Sequence, residues 1–258
     1  PLKRMSHLAI EQAAACLSLS ANDVRTDRHP PQVISVGLSF LAVEVASREA
    51  LREAEASHGA DSLEAAESIH VLIDALCKGG KAADPEAEAL GKRGVAIREQ
   101  RLGGEDPRLA ASLQGLGVVY SMRRDFLSAE PLLTRALAIQ EKVLGPDDLA
   151  VAQTLRSIGI LYRNRAEVAR AQPVFERVLA LRTKAQGPDH PDIASSLLDL
   201  GRVRHDRGDM TEARRLYADG LAMLERTNAS DHPFVAFAVS GLAGLLRETA
   251  DFAGARPL

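Results

Sequence analysis

The stretch GPDDLAVAQTLRSIGILYRNRAEVARAQPVFERVLALRTKAQ, residues 145–186, decides the fold of this chain. Closely similar patterns fill the 42 residues before it, 103–144, and the 42 residues after it, 187–228. A fixed period of this size is typical of a solenoid, in which each unit buries its apolar face against its neighbours. The sequence therefore predicts an array of repeated units rather than a single layered core.

Each unit contains the pattern of two helices. In the unit 103–144 they are predicted at about 107–122 and 126–143. A residue in the left-handed backbone conformation commonly ends a helix, and glycine adopts this conformation readily. The glycines at the unit boundaries are therefore predicted to end the second helices. These glycines are Gly103, Gly145 and Gly187. We therefore expect an all-α fold of antiparallel helix pairs.

Capping residues mark where the first helix of each unit begins. Ser62, Asp106 and Asp148 fall at one equivalent position, immediately before a helix. A side-chain oxygen at this position accepts a backbone N–H that has no partner within the helix. His190 stands there in a later unit, and the neighbouring Asp189 is an alternative cap.

The flanks of the clear repeats are less regular. Residues 1–58 fit the period poorly and are interpreted as a degenerate N-terminal helical repeat or cap, with helices predicted at 2–19 and 32–57 and a loop at 20–31. Residues 59–258 form the predicted array, with units at 59–102, 103–144, 145–186 and 187–228 and a truncated unit at 229–258. Because the chain begins at Pro1 and stops within a unit, we expect it to be a piece of a longer protein.

Composition narrows the classes of partner. The net charge of -3 gives no reason to expect nucleic acid or an anionic membrane as the main partner. The two cysteines, Cys16 and Cys77, form no disulfide or metal framework, which favours a reducing compartment such as the cytoplasm. No apolar run reaches the roughly 18 residues that span a bilayer. A protein or peptide partner is therefore expected, and the oligomeric state is left open.

An apolar stripe follows the two helices of each unit. In the unit 145–186, Leu155, Ile158, Gly159 and Tyr162 share one helical face by their spacing of three and four residues. Ala171, Phe175 and Val178 do the same on the second helix. The small residues Gly159 and Ala171 are predicted to allow close contact between the two helices.

These residues resemble the tetratricopeptide repeat over about residues 59–258. The 42-residue period, the turn GPDHP at 187–191 and the helix end ALAIQE at 136–141 are similar to the kinesin light chain type. The resemblance implies helix pairs stacked into a right-handed superhelix, with a concave groove that binds peptides or protein segments. The pair of asparagines usual within the first helix is absent at 114–115, 156–157, 198–199 and 240–241. Cargo peptides of kinesin light chains are therefore not assumed as ligands.

The candidate groove residues lie beside the apolar stripe of the first helices. They are Gln114, Arg156, Arg163, Asn164, Arg202, His205 and Arg247. If this flank faces the groove, arginines in successive units predict an acidic segment with an aromatic or aliphatic anchor, received by Val118, Ile160 and Leu198. The alternative is a solvated face whose charges are neutralised by Asp199, Asp206 and Glu248.

Motifs that carry catalysis are missing from the sequence. There is no phosphate loop, no H-x-x-x-H or H-E-x-x-H pair and no nucleophile elbow. We therefore predict a non-catalytic interaction module with no cofactor and no metal. The alternative is a regulatory or sensor region of a larger enzyme, such as a nucleotide-binding switch protein or a caspase-like protease.

Overall fold

All regular structure in the described part of the chain is helical. The computed structural model describes residues 32–227 and 233–248, and the side chains of residues 43–227 and 234–247. The ten helices in these ranges are α1 (Gln32–His58), α2 (Leu63–Lys78), α3 (Pro85–Leu102), α4 (Pro107–Met122), α5 (Phe126–Val143), α6 (Leu149–Asn164), α7 (Val168–Gln186), α8 (Pro191–Asp206), α9 (Met210–Arg226) and α10 (Pro233–Glu248). The expected all-α fold is confirmed, and α4 and α5 have the predicted bounds.

The helices pack in chain order within two compact units, which divide between Leu132 and Leu133 inside α5. In the first unit α1 packs on α2, α2 on α3, and α3 on α4, while α2 also contacts α4. In the second unit the same order runs from α6 to α10, and α8 also contacts α10. The first helices α2 and α8 thus contact their own second helices, α3 and α9, and also the first helix of the next repeat. The fold is an all-α repeat solenoid.

The predicted caps begin the first helices. The side chains of Ser62, Asp106 and Asp148 accept hydrogen bonds from the backbone N–H of residues 65, 108 and 150, at 3.0, 2.8 and 2.7 Å. At α8, Nδ1 of His190 accepts from the backbone N–H of Asp192 at 3.1 Å. Of the two caps considered there, the histidine is the one that acts, while Asp189 accepts a hydrogen bond from Arg226.

Glycine ends the second helices because the chain turns through a left-handed conformation. Gly103, Gly145 and Gly187 have φ angles of 82°, 93° and 78°. An L side chain rarely adopts this conformation, whereas glycine does so without steric penalty. The unit boundaries drawn from the sequence therefore coincide with turns that require glycine.

Aromatic rings occupy the space that the helical glycines leave. At Gly159, the three heavy atoms nearest to the place of an added Cβ all belong to the ring of Phe175, at 2.8 to 3.0 Å. At Gly201, the two nearest atoms belong to the ring of Tyr217, at 2.9 and 3.0 Å. Ala171, the small residue predicted on the second helix to allow close contact between the helices, is buried, but the nearest neighbour of Gly159 is Phe175. The glycine accommodates a ring from the second helix.

Several predictions from the sequence lie outside the described residues. They are the helix at 2–19, the loop at 20–31, Cys16 and the second helix of the truncated unit 229–258. The division of the chain at residue 58 stays a prediction. Over the described ranges, no helix combines the length and the hydropathy that crossing a bilayer requires.

The cap of α6 gives a stability prediction with a neighbouring control. We expect Asp148→Ala to lower the free energy of unfolding by about 1 kcal/mol, because the backbone N–H of Ala150 loses its acceptor. The adjacent Asp147 accepts from Nζ of Lys184 at 2.5 Å in an exposed ion pair, so Asp147→Ala should change stability by less than about 0.5 kcal/mol. Urea unfolding of both variants measures the difference. Equal effects would contradict the assigned cap.

Candidate functional site

The candidate residues of the second unit lie on the first helices α6, α8 and α10, where side chains connect one first helix to the next. Nε and Nη2 of Arg156 on α6 donate to Asp199 on α8, at 2.5 and 3.3 Å. The guanidinium of Arg156 also lies 5.3 Å from the ring centre of Phe234 on α10. We call the surface carrying Arg156, Arg163, Asp199, Arg202, Phe234 and Phe237 the first-helix face.

Arg156 has its charge compensated within this face. Asp199 is only 4% exposed, so the ion pair with Arg156 is largely withdrawn from water. The sequence alternative, in which Asp199 neutralises the arginines, therefore holds for Arg156. An acidic partner would have to compete with a carboxylate that is already bound there.

Arg163 and Arg202 are placed differently. The guanidinium of Arg202 lies 5.3 Å from the ring centre of Phe237, in cation–π contact. Arg163 donates from Nη2 to Oδ1 of Asn164 at 3.2 Å. Within the described ranges neither arginine forms an ion pair with a carboxylate. Burial, and next the positive charge of Arg202, hold the pKa of Arg163 below its usual range.

The other candidates are less central. Gln114 is half-buried on α4 in the first unit. In the second unit His205 is half-buried near the end of α8, and Arg247 is exposed near the end of α10. Asn164 serves as the acceptor for Arg163. The structure thus places Arg156 and Arg202 against aromatic rings of α10, and Arg163 near enough to Arg202 to feel its charge.

One expected anchor position is wrong. Leu198 is fully buried, and its Cδ2 lies 2.7 Å from the place that a Cβ on Gly220 of α9 would take. It packs towards its own second helix and cannot receive a ligand side chain. Ile160 on α6 and Phe234 and Phe237 on α10 are half-buried, so each leaves part of its apolar side chain accessible to a partner.

Two residues were missed in the sequence because both belong to second helices. Arg182 on α7 is 5% exposed and binds the start of α8, which gives it a structural role. Tyr217 on α9 is 2% exposed, yet its charged neighbours are residues of α6 and α8. The repeat register was the signal in the sequence that could have indicated both residues. Tyr217 stands one period after Phe175, at the equivalent position of the next repeat, and Arg182 stands two periods after Arg98.

Cys77 lacks the features of a reactive thiol. Burial, with a smaller contribution from Asp74, raises the pKa of the half-buried Cys77 thiol to about 11, so it is protonated at neutral pH. The described ranges contain no group of three or more His, Cys, Asp or Glu side chains arranged to hold a metal ion.

Solved structures resemble the chain in fold. Kinesin-light-chain-like repeats of Podosopora anserina are 26% identical, with 74% of this chain and 89% of that chain covered and a TM-score of 0.59. BtubC (BKLC) of P. vanneervenii is 22% identical, with 86% and 89% covered and a TM-score of 0.59. Aspartyl phosphate phosphatase F of Bacillus subtilis is 12% identical, with 98% and 77% covered and a TM-score of 0.58. The last two show the fold alone.

The family comparison covers most of the repeat array. No curated protein matches the chain significantly. The tetratricopeptide repeat family model matches at residues 84–142, 125–184, 164–226 and 194–258, which together span more than half of the chain. With helix pairs, glycine turns and the 42-residue period on the same segments, the chain belongs to the tetratricopeptide repeat family, with repeats of the kinesin light chain type.

Proposed function

We propose that the chain is a non-catalytic interaction module that holds an extended segment of a partner protein on the first-helix face of its second unit. The observation that carries this proposal is the pair Arg163 and Arg202, which lack a carboxylate partner in the described part of the chain. Other arginines on the same unit, such as Arg156 and Arg215, are paired with acids. Guanidinium groups without a carboxylate partner, one of them stacked on the ring of Phe237, are suited to bind a partner segment.

The partner segment is acidic and carries an apolar anchor. Guanidinium groups present several donors in a plane that matches a carboxylate, and they remain charged at any physiological pH. Half-buried Ile160, Phe234 and Phe237 provide apolar surface beside these charges. An aspartate or glutamate next to an aromatic or aliphatic residue fits this combination. We propose a reducing compartment such as the cytoplasm for this function, which two cysteines without a disulfide framework favour.

Selection from a random peptide library on the immobilised chain tests the proposal. We expect the selected peptides to be enriched in Asp or Glu next to a large apolar residue. The double variant Arg163→Gln/Arg202→Gln should bind them at least tenfold more weakly, because a hydrogen bond to a charged group contributes about 1.5–3 kcal/mol. Exposed charges are screened over about 10 Å at 0.1 M salt, so affinity should also fall as salt rises.

Arg215→Gln is the matched control. Arg215 lies on the second helix α9, is exposed, and is paired with Glu212 and Asp219 at 2.6 Å. This variant removes one positive charge from the second unit, against two in the double variant, and should leave affinity unchanged. Failure to enrich any peptide, or equal losses in the control and the double variant, would overturn the proposal.

A further inference from the structure

Exposed apolar side chains cluster at the two ends of α5. Over residues 43–227 and 234–247, seven large apolar side chains are exposed, and five of these lie between residues 122 and 149. They are Met122 and Leu127 at the turn into α5, and Val143, Leu144 and Leu149 at the turn after it. A single exposed apolar residue is common on a protein surface, whereas a group of them indicates an interaction surface.

Leu127 faces solvent because of its place in the repeat. Its side chain is 86% exposed, and the equivalent residues of the next two repeats, Ala169 and Thr211, are exposed as well. Met122 likewise is exposed where the next two repeats have an asparagine and an aspartate. The turn into α5 therefore exposes apolar surface at positions that are small or polar in the two repeats that follow.

Arg124 occupies a backbone conformation that glycine adopts more readily. Its φ angle is 63°, and the equivalent residue two repeats later is Gly208, with a φ angle of 82°. The turn requires this left-handed residue, because the backbone N–H of Asp125 then donates to the oxygen of Tyr120 at 2.9 Å and closes the end of α4, so an arginine here costs stability. Arg124 is exposed, its guanidinium lies 5.7 Å from the ring centre of Phe126, and it forms no ion pair within the described part of the chain. The turn thus presents a positive charge beside the exposed apolar side chains.

The turn after α5 combines apolar side chains with an acidic one. Val143, Leu144 and Leu149 are exposed there, and the next repeat has an alanine, a glutamine and a proline at these positions. Asp147 lies on the same turn and pairs with Nζ of Lys184 at 2.5 Å, and both side chains are more than half exposed. An exposed pair of this kind contributes little to stability, so its carboxylate can exchange this partner for another.

The two turns present complementary surfaces. We call Met122, Arg124 and Leu127 the first edge, and Val143, Leu144, Asp147 and Leu149 the second edge. Each edge combines large apolar side chains with one charged group, which is positive on the first edge and negative on the second. Because the edges flank opposite ends of one helix, the complement of each edge is found on a second copy of the chain.

We propose that the first edge of one copy binds the second edge of another copy, so that chains associate head to tail. The apolar side chains of the two edges cover one another, and Arg124 binds the carboxylate of Asp147 in the second copy. Since the two edges differ, every added copy leaves one edge of each kind open for the next. Few side chains take part, so the association is weak and depends on concentration.

Sedimentation equilibrium of the chain at increasing concentration tests the association. We expect the average mass to rise above that of one chain between about 10 μM and 1 mM, which is the range of weak contacts. At the upper end of this range the average mass should exceed that of two chains, because head-to-tail contact does not stop at a pair.

Two variants each remove one edge. Arg124→Gly/Leu127→Thr introduces the residues of the equivalent positions two repeats later, and Leu144→Gln/Leu149→Pro introduces those of the next repeat. The repeat fold accepts these residues at these positions, so both variants should fold, and thermal unfolding verifies this. Each variant should remain a single chain when alone. An equal mixture should form pairs that stop at two chains, because each pair has one intact contact and no open edge that matches a third copy.

Ala166→Gly/Ala169→Thr is the matched control. It places the same two residues at the equivalent positions of the next repeat and leaves both edges intact. The control and the first-edge variant both replace a left-handed residue by glycine, so each should raise the melting temperature by about 2–4 °C. Only the first-edge variant should lose association.

Several results would overturn the proposal. One is a wild-type chain that sediments as a single chain up to about 1 mM. Association that stops at two chains would mean a symmetric contact, and association that persists in either edge variant would place the interface elsewhere. A mixture of the two variants that forms no pairs would contradict head-to-tail contact. None of these results depends on peptide binding, so the proposed function is tested separately.

Discussion

Arg182→Ala is expected to lower the free energy of unfolding by about 3 kcal/mol. Nη1 of Arg182 donates to the backbone oxygen of Asp192 at 2.8 Å and to the hydroxyls of Ser195 and Ser196 at 2.7 and 2.9 Å. These contacts attach α7 to the first two turns of α8, and the side chain is only 5% exposed. Truncation removes charge-assisted hydrogen bonds and leaves a cavity, and each effect is destabilising.

Arg182→Leu separates the loss of hydrogen bonds from the loss of volume. In the next repeat the same position is Leu224, which is fully buried, so the fold accepts a leucine there. We expect Arg182→Leu to lose about half as much stability as Arg182→Ala, because it refills part of the space and removes a buried charge. Urea unfolding gives both values. Wild-type stability in the alanine variant would show that Arg182 does not attach these helices.

Gly159→Leu is expected to lower the free energy of unfolding by about 2–3 kcal/mol. The change improves helix propensity by nearly 1 kcal/mol. A Cβ at this position, however, would lie 2.8 Å from Cε1 and Cζ of Phe175, which is fully buried and has a rigid ring. Overpacking of a buried contact outweighs the gain in propensity. Thermal unfolding of the variant is the direct measurement.

Three further variants make this result specific to the ring contact. At Gly115 on α4 an added Cβ would lie 3.6 Å from Ile73 and 3.8 Å from His70, which is ordinary contact. Gly115→Ala should therefore gain up to about 1 kcal/mol, whereas Gly159→Ala should lose stability. Phe175→Leu in the Gly159→Ala background should recover part of that loss. A gain in stability for Gly159→Ala alone would contradict the packing of Phe175 against α6.

The positions of the side chains change the interpretation of the candidate site. The sequence predicts arginines on one flank of successive first helices, and their separation by the repeat length was sufficient for that prediction. Which of them carries an uncompensated charge depends on Asp199, 43 residues after Arg156. No local pattern reports whether that carboxylate turns towards Arg156 or towards Arg163. Only the tertiary placement of α6 relative to α8 determines that it binds Arg156.

The sequence by itself determined the features that repeat along the chain or that act over a few residues. The period fixed the fold, and the caps at Ser62, Asp106 and Asp148 and the turn glycines fixed the helix boundaries, because each acts within a few residues of chain. The tertiary structure decided the features that join separate helices. Phe175 fills the space at Gly159, Arg182 holds α8, and Tyr217 passes between Gly201 and Gly241. The physical reason is that these contacts depend on side-chain rotamers at helix crossings, where the polarity pattern of a sequence specifies burial but not the partner.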